Sequence, residues 1–137
     1  MLKKDYILRQ FEEFGKVLSL LMGLKKDREW EKFEKEIANA ALKFISLEIK
    51  VIEQFSEALF EQEVMTNSSL TQEQKLVLAT LLYEKMNYYV AMNDRDNYNA
   101  LKNKCLWLYK NIKANFTENE FNLDVHYKIE FLSKTED

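Results

Sequence analysis

Apolar residues recur every three or four positions along most of this chain, and that spacing is typical of helices with one buried face. The clearest stretch is residues 71–113, where two long amphipathic segments flank Asn93 and Asp94. Thr71 and Gln74 form the T-x-x-Q pattern of a capping box, which defines where the first segment starts. Asn tolerates the left-handed backbone region, and Asn or Asp can cap the helix that follows. The pattern predicts a helical hairpin.

A second pair of apolar stripes occupies residues 1–47 and predicts an N-terminal antiparallel hairpin. The stripes consist of Ile7, Phe11, Phe14, Leu18 and Leu21, and of Trp30, Phe33, Ile37, Ala40, Phe44 and Leu47. Gly23 followed by two lysines is typical of a helix end, and Asp27 is a candidate N-cap for the next helix. Gly15 interrupts the first stripe, and we expect a close helix crossing there to offset its low helix propensity.

Two shorter segments complete the predicted fold. Residues 48–70 contain Ser56, a candidate N-cap, which favours two short helices over residues 48–54 and 57–65, followed by a loop. Residues 116–137 predict a capping helix with a frayed tail, because Val125, Ile129 and Leu132 form an apolar side. We therefore expect one all-α domain over residues 1–137, in which the N-terminal hairpin packs on the hairpin of residues 71–115.

The composition supports this fold class. The chain has 137 residues with two glycines and no proline, whereas the turns of β-sandwiches and barrels depend on those two residue types. No run approaches the roughly 20 apolar residues that span a bilayer, and acidic residues interrupt the N-terminal segment where a secretory signal would be apolar. We therefore expect a cytoplasmic protein without a membrane partner.

Charge is distributed unevenly along the chain. The formal net charge is −3; residues 46–70 contain one basic and five acidic residues, and residues 116–137 contain two basic and six acidic residues. No segment has the basic excess of a nucleic-acid-binding surface. Lysines alternate with aromatic residues near Trp107, but lysine stems lying along an apolar helix explain this better than stacked RNA. We expect no nucleic-acid partner.

Residue types that carry chemistry are scarce. His126 and Cys105 are the only histidine and the only cysteine, so Glu-x-x-His and Cys-x-x-Cys ligand patterns are missing. Cys105 lies on an apolar helical stripe and not at a helix N-terminus, which favours a small buried residue over a nucleophile paired with His126. Two isolated glycines cannot form a phosphate-binding loop. We therefore expect no enzyme, no cofactor and no metal site.

Aromatic residues are concentrated in residues 71–113, where they define one candidate partner-binding surface. It consists of Tyr83, Tyr88, Tyr89, Trp107 and Tyr109. These side chains either pack in the core with their hydroxyls at its edge, or line an amphipathic groove for a peptide or partner helix. The sequence favours the first interpretation and leaves the second open.

The hairpin of residues 71–115 resembles a degenerate tetratricopeptide unit. Leu82, Tyr89 and Asn93 match the apolar, aromatic and turn positions of the first helix of such a repeat. Met86 stands where the repeat has a small residue, and the closing proline is absent. The resemblance implies a repeat-like helical hairpin that needs a neighbouring element to cover its apolar face.

Over a longer range, Asp5-Tyr6-Ile7, Arg9-Gln10 and the order of the elements resemble a family of small uncharacterised bacterial proteins. That resemblance implies an N-terminal helical hairpin joined to a tetratricopeptide-like part, and it implies no activity. We therefore expect a non-catalytic protein–protein interaction or scaffolding module, with a homodimer as one form of it. The alternative is a helical bundle that binds a small molecule between the hairpins, in a pocket lined by Tyr88, Tyr89 and Trp107.

Overall fold

The structure is a computed structural model that describes residues 3–66 and 69–115. In chain order the elements are α1 (Lys3–Lys26), α2 (Trp30–Ile45), α3 (Ile49–Glu53), α4 (Glu57–Phe60), the π-helix π1 (Glu61–Thr66), α5 (Gln72–Ala91) and α6 (Arg95–Asn115). Every element in these two ranges is helical, which confirms the predicted all-α fold. The capping helix predicted for residues 116–137, including His126, lies outside the described residues.

Helices α1 and α2 pack against each other as the predicted N-terminal hairpin. Phe14 and Leu21 are the buried residues among the described side chains of α1, and the Phe14 ring meets the Phe44 ring of α2 edge-on with 5.4 Å between centroids. The buried face of α2 consists of Phe33, Ile37, Ala40, Ala41, Phe44 and Ile45. The predicted positions Ile7 and Phe11 lie outside the described side chains. The heptad-like spacing therefore identified the packing face of α2 correctly.

The connection between α1 and α2 differs from the sequence prediction. Helix α1 does not end at Gly23 but continues to Lys26, and the chain turns at Arg28, whose φ of 58° lies in the left-handed region. The N–H groups of Arg28 and Glu29 donate to carbonyls one turn earlier at 3.1 and 2.9 Å, the pattern of a Schellman C-cap. Asp27 is part of this turn, and Glu29 takes the N-cap position of α2 without a side-chain hydrogen bond.

The expected close crossing at Gly15 is also wrong. A Cβ atom built on Gly15 would have no heavy atom within 4 Å, and the same holds for Gly23. Both glycines lie on exposed parts of α1. No element within the described ranges therefore requires a glycine at either position.

The middle of the chain forms the two short helices that the sequence predicts. Ser56 caps α4, because its Oγ accepts a hydrogen bond from the Leu59 N–H at 3.1 Å. Helix α4 runs directly into π1, where the Thr66 hydroxyl donates to the Glu61 carbonyl at 2.9 Å. The second predicted helix thus exists, but its latter half has π geometry, which periodicity alone does not reveal.

Helices α5 and α6 form the hairpin that the sequence predicts most clearly. The capping box is present, since the Gln74 N–H donates to Thr71 Oγ1 at 3.1 Å and the Thr71 N–H donates to Gln74 Oε1 at 3.0 Å. Asn93 has a φ of 57°, and Asp94 caps α6 by accepting from the Asn97 N–H at 3.2 Å. The hairpin and both of its capping devices are therefore confirmed.

Helix α5 occupies the centre of the described fold, between α2 on one side and α6 on the other. Its buried residues are Lys75, Leu76, Val77, Leu78, Ala79, Leu81, Leu82, Glu84, Lys85 and Met86. On α6, Leu101, Cys105, Leu108 and Ile112 are buried, and the Cys105 thiol donates to the Ala79 carbonyl at 3.6 Å. The sequence predicted one buried edge for α5, whereas two neighbours bury most of its circumference and enclose charged side chains among the apolar ones.

Candidate functional site

The structure separates the five aromatic residues that the sequence grouped into one surface. Tyr109 is fully buried in the core, so its assignment to a partner-binding surface is wrong. Tyr83, Tyr88, Tyr89 and Trp107 are each partly buried. Tyr88 and Tyr89 lie together, with 5.5 Å between ring centroids, and among the described residues Trp107 makes no ring contact with either. Of the five predicted residues, Tyr88 and Tyr89 are therefore the two with a ring contact between them among the described residues, near the C-terminal end of α5.

Lys85 is the central residue of the contacts near that end of α5, and it was not among the predicted site residues. Its side chain is 1% exposed, and its Nζ lies 2.8 Å from Glu34 Oε2 and 3.6 Å from Glu53 Oε2. The same ammonium group lies over the Tyr88 and Tyr89 rings, at 5.2 and 5.6 Å from their centroids. Two carboxylates and two aromatic faces thus replace the water that a buried cation loses.

The contacts around Lys85, which lies on α5, involve three further helices. The Tyr89 hydroxyl donates to Glu53 Oε1, and Lys104 of α6 donates from Nζ to the Glu53 carbonyl oxygen at 2.7 Å. Trp30 of α2 packs edge-on against Tyr88 at 6.4 Å. We call these residues the Lys85 cluster: Trp30, Glu34, Glu53, Lys85, Tyr88, Tyr89 and Lys104. The cluster joins α2, α3, α5 and α6 at one point.

Burial shifts the ionisation of three residues in the Lys85 cluster. Burial raises the pKa of Tyr89, and its hydrogen bond to the Glu53 carboxylate raises that pKa further. The pKa of Tyr88 is also raised, first by burial and then by the negative charge of Glu34. Burial lowers the pKa of Lys104, against the opposing effect of Glu53. Both tyrosines therefore remain protonated well into the alkaline range, which keeps the Tyr89 hydroxyl available as a donor to Glu53.

The polar groups of the Lys85 cluster contact one another. Trp30 packs edge-on against Tyr88 and Lys85 lies over both tyrosine rings, so protein side chains make contacts that the predicted small-molecule pocket would assign to a ligand. The sequence did contain a signal for this cluster: Lys85 lies seven residues after Leu78, on the predicted buried edge of α5. A lysine at such a position predicts a buried ion pair, but the identity of its partners depends on which helices pack nearby.

A groove on another part of the surface is open. It has a volume of about 600 Å³ and lies between the end of α2, helix α3, π1 and the residues that precede α5. Its lining residues are Ile45, Ser46, Leu47, Glu48, Val51, Ile52, Phe55, Glu63, Val64, Ser69 and Leu70. Buried Ile45, Ile52 and Val64 form its floor, whereas the Val51 side chain is 48% exposed. We call this feature the α3–π1 groove.

The rim of the α3–π1 groove is acidic. Glu48 occupies the N-cap position of α3, yet its side chain makes no capping hydrogen bond. Neither Glu48 nor Glu63 forms an ion pair with any residue in the described ranges. Ser46, at the α2 end of the groove, has a φ of 57°, so a left-handed residue ends α2 and directs the chain into α3. The groove thus combines an apolar floor with two carboxylates that form no ion pair among the described residues.

Three further observations bound the possible chemistry. Within the described ranges, no three His, Cys, Asp or Glu side chains are placed to hold a metal ion. None of the described helices has the length and apolar character to cross a membrane. Comparisons with protein-family models, with curated proteins and with solved structures give no significant match.

Proposed function

We propose that this chain is a protein–protein interaction module that binds its partner through the α3–π1 groove. The observation that carries the proposal is the groove itself, an opening of about 600 Å³ with an apolar floor and an exposed valine at its edge. Exposed apolar surface with a polar rim is typical of interaction sites. The groove, and not the tyrosine pair, is the proposed contact surface, because Tyr88 and Tyr89 already bind Lys85 and Glu53.

The arrangement of the hairpins supports this assignment. We treat α5 and α6 as a tetratricopeptide-like hairpin, and such a unit needs a neighbour to cover its apolar face. Helix α2 packs on α5 and supplies that neighbour within the chain. The α5–α6 hairpin therefore does not require a partner for its own stability. A partner, including a second copy of the chain, binds instead in the α3–π1 groove, where an apolar floor lies beside the exposed Val51.

Photo-crosslinking in the native cells tests this proposal. A photoreactive phenylalanine analogue replaces Val51 in the groove or, as the control, Val90, which is 62% exposed near the opposite end of α5. We expect irradiation to produce a protein adduct of defined mass at position 51 and no matching adduct at position 90. An adduct of twice the chain mass identifies self-association. Equal adducts at both positions, or none at position 51, would overturn the proposal.

A second candidate function is the binding of a small apolar molecule in the same groove. Its volume of about 600 Å³ favours this, because ligand pockets have volumes of roughly 300–1,000 Å³. Native mass spectrometry of the protein purified from its own cells distinguishes the two functions. A bound mass of a few hundred daltons that disappears in Val51→Asp supports the small ligand, whereas the bare chain mass excludes a tightly bound one.

A further inference from the structure

We infer that the partner of the α3–π1 groove presents a basic amphipathic helix, with Lys or Arg residues flanking its apolar face. This inference rests on the proposed function and specifies the chemistry of the partner. The groove floor of Ile45, Ile52 and Val64 is apolar and suits the apolar face of such a helix. Partner helices commonly bind such grooves through apolar anchors spaced three and four residues apart.

The charges around the groove select the basic partner. Residues 46–70 contain five acidic residues and one lysine. Two of the acidic residues have partners elsewhere: Glu53 binds within the Lys85 cluster, and Glu57 accepts a hydrogen bond from Asn103 at 3.5 Å. Glu48 and Glu63 line the groove and form no ion pair within the described ranges. Complementary charge accelerates association and selects among partners, whereas like charge disfavours binding.

The negative charge of the groove rim disfavours the chain's own C-terminal segment as the occupant. Residues 116–137 contain six acidic and two basic residues, so they have the same sign of charge as the groove rim. A segment of that charge would place carboxylates beside Glu48 and Glu63 with few cations to compensate. The rim carboxylates are complementary to a separate basic helix.

Two matched synthetic peptides test the inference by fluorescence anisotropy with the full-length chain. Both are 14-residue fluorescein-labelled helices with leucines on one face, and the remaining positions are all Lys in one peptide and all Glu in the other. A third peptide has the Lys composition in scrambled order. We expect the Lys helix to bind at least about tenfold more tightly than the Glu helix and the scrambled peptide. Its affinity should fall with added salt because the rim charges are exposed.

Variants locate the binding site of the Lys helix. The double variant Glu48→Lys/Glu63→Lys should remove the preference for the Lys helix, and Val51→Asp should weaken its binding about tenfold or more. The control variants Glu12→Lys/Glu31→Lys and Val90→Asp change exposed residues outside the groove and should leave binding unchanged. Circular dichroism of each variant establishes that the helical fold is retained.

Several results would overturn the inference. Equal binding of the Lys and Glu helices, equal binding of the scrambled peptide, or no binding of the Lys helix each contradicts a basic amphipathic partner. A mass doubling in sedimentation that Val51→Asp abolishes would identify a second copy as the occupant instead. The photo-crosslinking experiment decides the proposed function independently, so a partner adduct at position 51 without Lys-helix binding rejects only the inferred chemistry.

Discussion

At the scale of single residues, Lys85 is a charged residue at a buried position of α5, where the apolar spacing of the helix predicts an apolar side chain. A buried cation requires compensation, which Glu34 and Glu53 supply at 2.8 and 3.6 Å. Glu53 Oε2 makes no hydrogen bond within the described ranges, so its stabilisation comes mainly from the charge of Lys85. The burial of Lys85 and that of Glu53 therefore depend on each other, because an uncompensated buried charge is strongly destabilising.

Removal of Lys85 should be far more destabilising than removal of a surface lysine. Lys85→Ala leaves the Glu53 carboxylate, whose side chain is 10% exposed, without its ion-pair partner, and we expect the free energy of unfolding to fall by about 3–5 kcal/mol. Lys32→Ala is the control, because Lys32 and Glu29 form an exposed pair at 3.4 Å that should contribute under about 0.5 kcal/mol. Urea unfolding measures both values. Similar losses in the two variants would show that the Lys85 cluster does not stabilise the fold.

Tyr89→Phe tests the hydrogen bond to Glu53 and its dependence on pH. At neutral pH, loss of the hydroxyl leaves Glu53 Oε1 without its donor, which should lower the free energy of unfolding by about 1–3 kcal/mol. The folded-state pKa of Tyr89 lies above the value of 10.0 for an ordinary tyrosine, so the folded chain keeps a proton that the unfolded chain loses above that pH.

The contribution of Tyr89 is therefore fully present below pH 10 and is lost as the pH rises above it, by up to about 1.4 kcal/mol per pH unit. Phenylalanine has no such titration, so the stability gap between the wild type and Tyr89→Phe should narrow between pH 9 and pH 11. Both proteins retain Tyr88 and Lys104, whose own titrations largely cancel in the comparison. A gap that stays constant over this range in urea unfolding would contradict the assignment.

At the scale of elements, α1 contains two glycines that its packing does not need. A Cβ on Gly15 or Gly23 would meet no heavy atom within 4 Å, and both residues are helical and exposed. Alanine loses less backbone entropy on folding than glycine, so Gly15→Ala and Gly23→Ala should each raise the free energy of unfolding by about 0.5–1 kcal/mol.

An exposed lysine inside α1 provides the matched opposite case. Lys16 lies in the interior of α1, and Lys16→Gly should lower the free energy of unfolding by a similar amount, since glycine disfavours a helix interior. Thermal unfolding of the three variants checks the signs. Destabilisation by Gly15→Ala would show that a neighbour contacts this face of α1.

At the scale of the whole molecule, α5 is the central element and the short helices between α2 and α5 lie at the periphery. Apolar side chains bury most of α5 between α2 and α6, whereas Glu61, Gln62, Glu63 and Thr66 of π1 are exposed. Opening of a peripheral segment exposes less apolar surface than separation of the hairpins does. The local stability of π1 should therefore be lower than that of α5.

Hydrogen exchange should resolve this difference. We expect the amides of residues 78–86 to exchange only when the whole domain unfolds, and those of residues 61–66 to exchange at least about tenfold faster through local opening. Mass spectrometry of peptic peptides measures both segments in one experiment. Equal protection in the two segments would indicate that π1 unfolds together with the core.

Local sequence signals predicted most of the secondary structure, because the interactions behind them lie within a few residues. The Thr71–Gln74 capping box, the Ser56 cap and the left-handed turn at Asn93 each satisfy backbone groups of their own helix end. The predicted end of α1 at Gly23 was wrong, because a local signal shows where a helix can end and not where it must end. Glycine permits a helix to stop but does not force it, and a left-handed arginine at position 28 is rare enough that sequence patterns do not indicate it.

The chain by itself thus determined an all-α fold of paired helices and the order of its elements. Only the tertiary structure decided what those helices surround. Because α5 lies between two neighbours, Lys85 is buried and pairs with Glu34, which lies fifty-one residues earlier. Tyr109 is buried in the same core. The α3–π1 groove likewise depends on tertiary packing, because the short elements of residues 45–70 fold against one another without filling the space between them. Periodicity reports which face of a helix is apolar, but not which residues of other helices lie against it.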